Sequence, residues 1–243
     1  MSNLSKNKVK WIRSLSLKKN RDELGLYIVE GEKMCLELIQ NYADQVVLLA
    51  HTSAFNCELT SAETILVTTK ELEQISLLKT PNNVLAIVKK PINKVGLVSP
   101  DELIIALDGI QDPGNLGTIM RIADWFGIKK IICSIETVDC FNPKVVQATM
   151  GAIFRVNCQY TDLFAYLSKS KSPIYGADLE GENLFEQSKL TPGIIVMGNE
   201  GNGLSDEIRS IIQHKLFIPK FGNAESLNVS VATGIIVSSF FKK

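Results

Sequence analysis

Leu107-Asp-Gly-Ile-Gln-Asp-Pro-Gly-Asn-Leu-Gly-Thr-Ile-Met-Arg121 runs from an apolar stretch through a loop rich in Gly and Pro into a helix-like segment. Two later blocks follow the same plan: Ile194-Ile-Val-Met-Gly-Asn-Glu-Gly-Asn-Gly-Leu204 and Leu216-Phe-Ile-Pro-Lys-Phe-Gly-Asn-Ala-Glu-Ser-Leu-Asn-Val229. A strand that empties into such a loop and then a helix is the geometry in which α/β proteins build ligand sites. Three of these loops predict one shared pocket.

Outward from these blocks, apolar periodicity predicts strands over 103–107, 130–134, 155–157, 174–177, 193–197 and 216–218. It predicts helices over 115–126, 142–151, 162–168, 205–212 and 228–241. Regular alternation of this kind implies an α/β fold with a mainly parallel sheet covered on both faces. Towards the N-terminus a second α/β unit reads as strands over 26–30, 45–50, 65–67 and 84–88 with helices over 32–41 and 70–75. Lys89-Lys-Pro-Ile-Asn-Lys-Val-Gly-Leu-Val-Ser-Pro100 separates the two as a linker, which places a domain boundary near residue 95 and domains over 1–95 and 96–243.

The chain has 243 residues, 45% hydrophobic and 21% charged, a balance that excludes large-scale disorder. No apolar run reaches the roughly 18–20 residues needed to cross a bilayer; the longest, Val229 to Phe241, is broken by Ser230, Thr233, Ser238 and Ser239. The basic N-terminus lacks the apolar core and small-residue cleavage site of a signal peptide, so a cytoplasmic protein with no membrane partner is expected. Cys35, Cys57, Cys133, Cys140 and Cys158 include no Cys-x-x-Cys pair, and His51 and His214 lie far apart. Neither a disulfide framework nor a metal site is expected. Net charge is zero, yet Lys6, Lys8, Lys10, Arg13, Lys18, Lys19 and Arg21 all precede the first acidic side chain, Asp22. That tract is either a solvated terminus or a surface that neutralises phosphates.

In content and order the three blocks resemble the three signature motifs of the SpoU (TrmH-type) RNA 2′-O-ribose methyltransferases, in the SPOUT superfamily of knotted enzymes that use S-adenosyl-L-methionine (AdoMet). Asn7-Lys-Val-Lys-Trp-Ile-Arg-Ser-Leu15, Lys18-Lys-Asn-Arg21 and Tyr27-Ile-Val-Glu-Gly-Glu-Lys-Met34 resemble, less closely, the ribosomal-protein-like substrate-binding domain attached to many of them. The resemblance implies an N-terminal α/β substrate-binding domain and a C-terminal SPOUT α/β domain with a deep trefoil knot. It also implies a homodimer, AdoMet as cofactor, and structured RNA as substrate. The appended domain favours ribosomal (23S-type) over transfer RNA.

The resemblance carries Gly198, Ile218 and Leu227 over as cofactor contacts, and Asn115, Arg121, Glu200, Ser226 and Asn228 as the catalytic set. Glycines at 198, 201 and 203 suit a backbone that must turn tightly or approach a ligand. Taken alone, Ile218 and Leu227 read as core, Asn115 as a helix N-cap, Arg121 as a surface cation, and Ser226 and Asn228 as caps of the last helix. Glu200, an acid among glycines, is expected either to pair with Arg121 or to hold Asn115. A guanidinium keeps its protons, so Arg121 is expected to position and stabilise charge rather than act as a base. Two other readings compete: a catalytically idle RNA-binding or assembly protein of the same fold, and a dinucleotide-binding enzyme. The latter expects Gly-x-Gly-x-x-Gly after the first strand of a βαβ unit, whereas Gly198 to Gly203 lies near the C-terminus with different spacing.

Overall fold

The computed structural model describes residues 4–56, 61–91, 101–187 and 189–242. They form two compact units interleaved in sequence: Asp139–Phe154 clusters with the N-terminal part, and the rest of the chain makes the second unit. The boundary expected near residue 95 lies outside the described residues, as do most of the linker and Cys57.

The first unit begins with α1 (Lys6–Ser14), capped by the Ser5 hydroxyl, which accepts the Lys8 N–H. α2 (Lys18–Leu24) ends at Gly25, whose φ of 65° terminates the helix without a side-chain clash. Then come β1 (Leu26–Glu30), α3 (Glu32–Asn41), β2 (Val46–His51), β3 (Glu63–Leu66), α4 (Thr69–Ile75) and β4 (Val84–Lys89). The sheet order is β1-β4-β2-β3, with β4 antiparallel to β1 and β2, and β3 parallel to β2. Ile12 and Leu15 pack with Ile28, Leu48, Leu72, Ile75, Leu85 and Ile87 in one core.

The second unit contains β5 (Ile104–Asp108), α5 (Pro113–Trp125) and β6 (Lys130–Cys133); the chain then contributes α6 (Pro143–Thr149) to the first unit. It continues with β7 (Asn157–Tyr160), α7 (Leu163–Leu167), β8 (Ile174–Asn183), β9 (Ile194–Gly198), α8 (Asp206–Arg209), β10 (His214–Phe217) and α9 (Val229–Ser239). The sheet runs β10-β8-β9-β5-β6-β7, and every pairing is parallel. Ile104, Ala106, Ile132, Ile194 and Val196 pack against Leu163, Leu167, Leu204 and Ile208. α5 and α9 pack on each other and against β6 and β9. Residues 104–107 and 194–197 are buried throughout, the continuous apolar runs of strands covered on two faces.

Three details depart from expectation. β8 extends past Ala177 to Asn183, because the polar run beyond it still pairs with β10 after a register shift at Lys215/Leu216. Polar exposed residues there leave no apolar pattern to read. The strand expected at 155–157 lies at Asn157–Tyr160, since Ala152–Phe154 forms a 3-10 turn first. Arg21 does not belong to a solvent-facing basic tract: it is 2% exposed and gives its Nε and Nη2 to Asp139 Oδ2 at 3.1 and 2.6 Å. Its Nη1 donates to the Leu15 and Ser16 carbonyls at 2.9 and 2.8 Å. With every guanidinium nitrogen hydrogen-bonded, the buried charge is tolerable and ties α2 to the segment that leads into α6.

Candidate active site

The loops that follow β5 and β9 are stitched together by polar side chains. Asn199 Nδ2 donates to the Gly109 carbonyl at 2.7 Å, and Asn199 Oδ1 accepts the Gly201 and Asn202 N–H groups at 2.9 and 3.1 Å. The backbones of Asn199 and Gly203 exchange hydrogen bonds at 2.8 and 2.9 Å, which closes the turn. Gly203 sits at φ 70°, and a Cβ on Gly198 would collide with the backbone of Gly203 and Leu204. Both glycines are therefore required by the turn itself. Asp108 accepts the Ser205 N–H at 2.7 Å, fixing the far end of the loop.

Within this frame Glu200 collects donors. Its carboxylate accepts the Gln111 and Asp112 N–H groups at 3.3 and 3.2 Å and Asn115 Nδ2 at 3.0 Å. Burial pushes its pKa upward, but the hydrogen bonds from Asn115 and the backbone outweigh that and hold it below the ordinary carboxylate value. At neutral pH Glu200 is an anionic acceptor. It holds Asn115; a Glu200–Arg121 pair, the other expectation, is not formed among the described residues.

An acceptor-only carboxylate dictates the rest of the chain of bonds. The Asn115 amide must point its NH2 at Glu200, so its Oδ1 turns outward and accepts Asn228 Nδ2 at 2.9 Å. Asn228 in turn aims its Oδ1 at the start of α9, accepting the Ser230 N–H and hydroxyl at 2.9 and 2.6 Å. Asn228 is thus the N-cap expected of it. Asn115 is not a cap. Asp112 caps α5 by accepting the Asn115 N–H at 2.9 Å, and Pro113 opens the helix because its missing N–H costs nothing there. Relieved of capping, the Asn115 side chain joins the first block to the second and third.

Arg121 is exposed on α5, and among the described residues no side chain pairs with it. Ser226 is exposed in the third loop and does not enter the hydrogen-bond chain among the described residues. Ile218 is half-buried and Leu227 49% exposed, so neither reads as core. Asn199, Asp108 and Asp112 were missed as site builders. Asp-Pro ahead of an apolar helix was a readable cap signal, whereas the partners of Asn199 and Asp108 lie about 90 residues away and leave no local trace.

A cleft of about 650 Å³ opens at the carboxyl ends of β5, β6 and β9, bordered by Asp108, Gly109, Gln111, Ser134, Asn199 and Gly203. β5 is the first strand of this sheet and lies between β6 and β9, so the cleft occupies the point where strand order reverses, the usual ligand crevice of open parallel sheets. Among the described residues no group of His, Cys, Asp or Glu side chains is arranged to hold a metal, and no helix is long and apolar enough to cross a membrane.

In the first unit, the basic tract is largely committed to structure. Lys8 pairs with Glu63, Arg13 Nη1 donates to the Gln74 carbonyl at 3.0 Å, and Lys18 pairs with Asp22 at 2.6 Å. Lys6, Lys10 and Lys19 are exposed without an ion-pair partner among the described residues.

Residues 102–238 match the family model of the SpoU rRNA Methylase family, and residues 6–86 match that of the MRM3-like substrate binding domain. The 23S rRNA (guanosine(2553)-2′-O)-methyltransferase RlmP of Bacillus subtilis is 26% identical over 95% of this chain and 94% of its own length. The structure of a protein of the TrmH family from Porphyromonas gingivalis superposes with a TM-score of 0.86 at 37% identity, covering 98% of each chain. The AdoMet-bound rRNA methyltransferase from Sinorhizobium meliloti gives 0.86 at 28% identity, covering 99% of this chain and 96% of that one. With three motif loops joined through Glu200, Asn115 and Asn228 and both family models matched in order, the chain belongs to the SpoU rRNA Methylase family.

Proposed function

We propose that this protein transfers the methyl group of AdoMet to a ribose 2′-hydroxyl in structured RNA, ribosomal (23S-type) rather than transfer RNA, in the cytoplasm. The observation that carries the reading is the bonded sequence Glu200, Asn115, Asn228, which draws three loops into one site, with the Arg121 guanidinium exposed, and unpaired among the described residues, on the helix that holds Asn115. Residues 1–95 act as the substrate-binding domain, with Lys6, Lys10 and Lys19 available for phosphates, and 96–243 as the methyltransferase domain.

AdoMet, when bound, supplies an electrophilic methyl on a sulfonium. Ile218 and Leu227, at the two ends of the third loop, offer partly exposed apolar side chains suited to an adenine face, and Gly198 serves the cofactor through the tight turn it permits. The C-terminal segment carrying this loop is threaded as the trefoil knot. Arg121 orients the 2′-hydroxyl and stabilises its developing negative charge, while a phosphate oxygen or water takes the proton; a guanidinium has no readily removable proton of its own. Glu200, Asn115 and Asn228 position this arrangement, and Ser226 completes the pocket at the mouth of α9.

The enzyme acts as a homodimer. Trp125, at the end of α5, is 86% exposed, and Val231 and Phe241 on α9 and beyond are about half exposed at 51% and 49%. Exposed apolar side chains on two helices that pack together favour a second copy.

The test is methyl transfer from labelled AdoMet to protein-free ribosomal RNA, wild type beside Arg121→Ala. The variant is expected to lose about 100- to 1000-fold in rate, the usual effect of removing one charge-stabilising group, with its AdoMet affinity intact. Full activity in Arg121→Ala contradicts the assignment.

A further inference from the structure

Lys220 to Asn228, the third loop, is exposed at every position. Between Lys220 and Leu227, no side chain makes a hydrogen bond or ion pair among the described residues. Its second residue, Phe221, is 91% exposed, more than any other large apolar side chain described. Pro219 limits the backbone two residues before it, and Gly222 just after it adds no side chain. The ring therefore offers a flat apolar face to solvent on a loop that leads into the site.

We propose that Phe221 stacks on a nucleobase of the RNA within a few nucleotides of the methylated ribose, with the neighbouring Lys220 on the adjoining phosphate. Aromatic faces are how proteins hold unstacked bases in RNA, and a cation next to the ring suits the backbone that each base carries. The loop is placed for this: its far end, Asn228, is hydrogen-bonded to Asn115 at 2.9 Å. The seven residues from Phe221 to Asn228 span at most about 25 Å even when extended, so the ring stays within a few nucleotides of the reacting hydroxyl. The inference rests on the RNA methyl transfer proposed above.

The experiment uses the full-length protein and protein-free large-subunit ribosomal RNA from a strain lacking this gene. Phe221→Ala is expected to raise the KM for RNA by roughly 5- to 150-fold, the range of one lost base stack. AdoMet affinity and native mass should stay unchanged. Phe221→Trp is expected to stay within about twofold of wild type in KM, and RNA should quench the emission it adds to that of Trp11 and Trp125. An unchanged KM in Phe221→Ala overturns the proposal. So does a matching loss of AdoMet affinity, which makes Phe221 a cofactor wall, or a change in native mass, which makes it a subunit contact. An inactive wild type contradicts the methyl transfer reading instead, so the two failures are told apart.

Discussion

Glu200 illustrates how one charge orders its neighbours. Because the carboxylate can only accept, it fixes which way the Asn115 amide faces and, through it, the Asn228 amide. Glu200→Gln keeps the shape but brings an NH2 group against the Gln111 and Asp112 N–H donors or against Asn115. Losing hydrogen bonds to a charged group at about 1.5–3 kcal/mol each, the variant is expected to fall roughly 10- to 100-fold in kcat/KM, read by the labelled methyl assay. The pH dependence follows from the same bonds. Since the folded-state pKa of Glu200 lies below its ordinary value of 4.5, its contribution is complete above that value and is lost as pH falls through the lower, folded one. The acid limit set by this site therefore lies below pH 4.5 in wild type and is absent from Glu200→Gln. An acid limit shared by both proteins would assign it to another group. At this scale the identities of Asn115, Glu200 and Asn228 were legible in the motifs, and Glu200 holding Asn115 was one of the two partnerships expected; the Asn115–Asn228 bond was not read, since it joins residues remote in sequence. Taken alone Asn115 reads as a cap, but Asp112 occupies that position ahead of Pro113 and leaves the Asn115 side chain to the site.

At the scale of elements, the helix start and the buried ion pair carry measurable weight. Asp112→Ala removes the cap of α5 and is expected to cost about 0.5–2 kcal/mol, with a further loss of activity because the same turn presents the Gln111 and Asp112 N–H groups to Glu200. Asp139→Ala leaves Arg21 charged, buried and deprived of its carboxylate; about 3–5 kcal/mol of stability should be lost, by denaturant unfolding. A cost near zero would mean that the Leu15 and Ser16 carbonyls suffice for Arg21. Strands and helices were read well wherever apolar residues recur: β1 and α3 fall where periodicity puts them. Reading failed for the second half of β8, where Asp178, Glu180 and Glu182 hide a strand inside a polar run that only pairing with β10 reveals.

For the molecule as a whole, alternation of strands and helices predicts a parallel sheet but not the order β10-β8-β9-β5-β6-β7, because strand order depends on crossovers that periodicity does not encode. Nor does any local signal announce that Asp139–Phe154, between two strands of the second sheet, belongs with the first unit. Tyr27 against Phe141, with ring centroids 4.8 Å apart, is a contact visible only once the chain is folded. The exposed apolar residues of α5 and α9 set a prediction at this scale: Trp125→Lys with Val231→Glu should convert the proposed dimer to a monomer by light scattering, and an unchanged mass would contradict a dimer contact there. The central claim, a ribose methyltransferase acting on RNA through Arg121, is tested most directly by mapping the product. RNA from a strain lacking the gene is incubated with labelled AdoMet, digested with nuclease and read nucleotide by nucleotide. The account predicts label on the 2′-oxygen of a single nucleotide with wild type and none with Arg121→Ala; label on a base, or no label while AdoMet and RNA both bind, would contradict it.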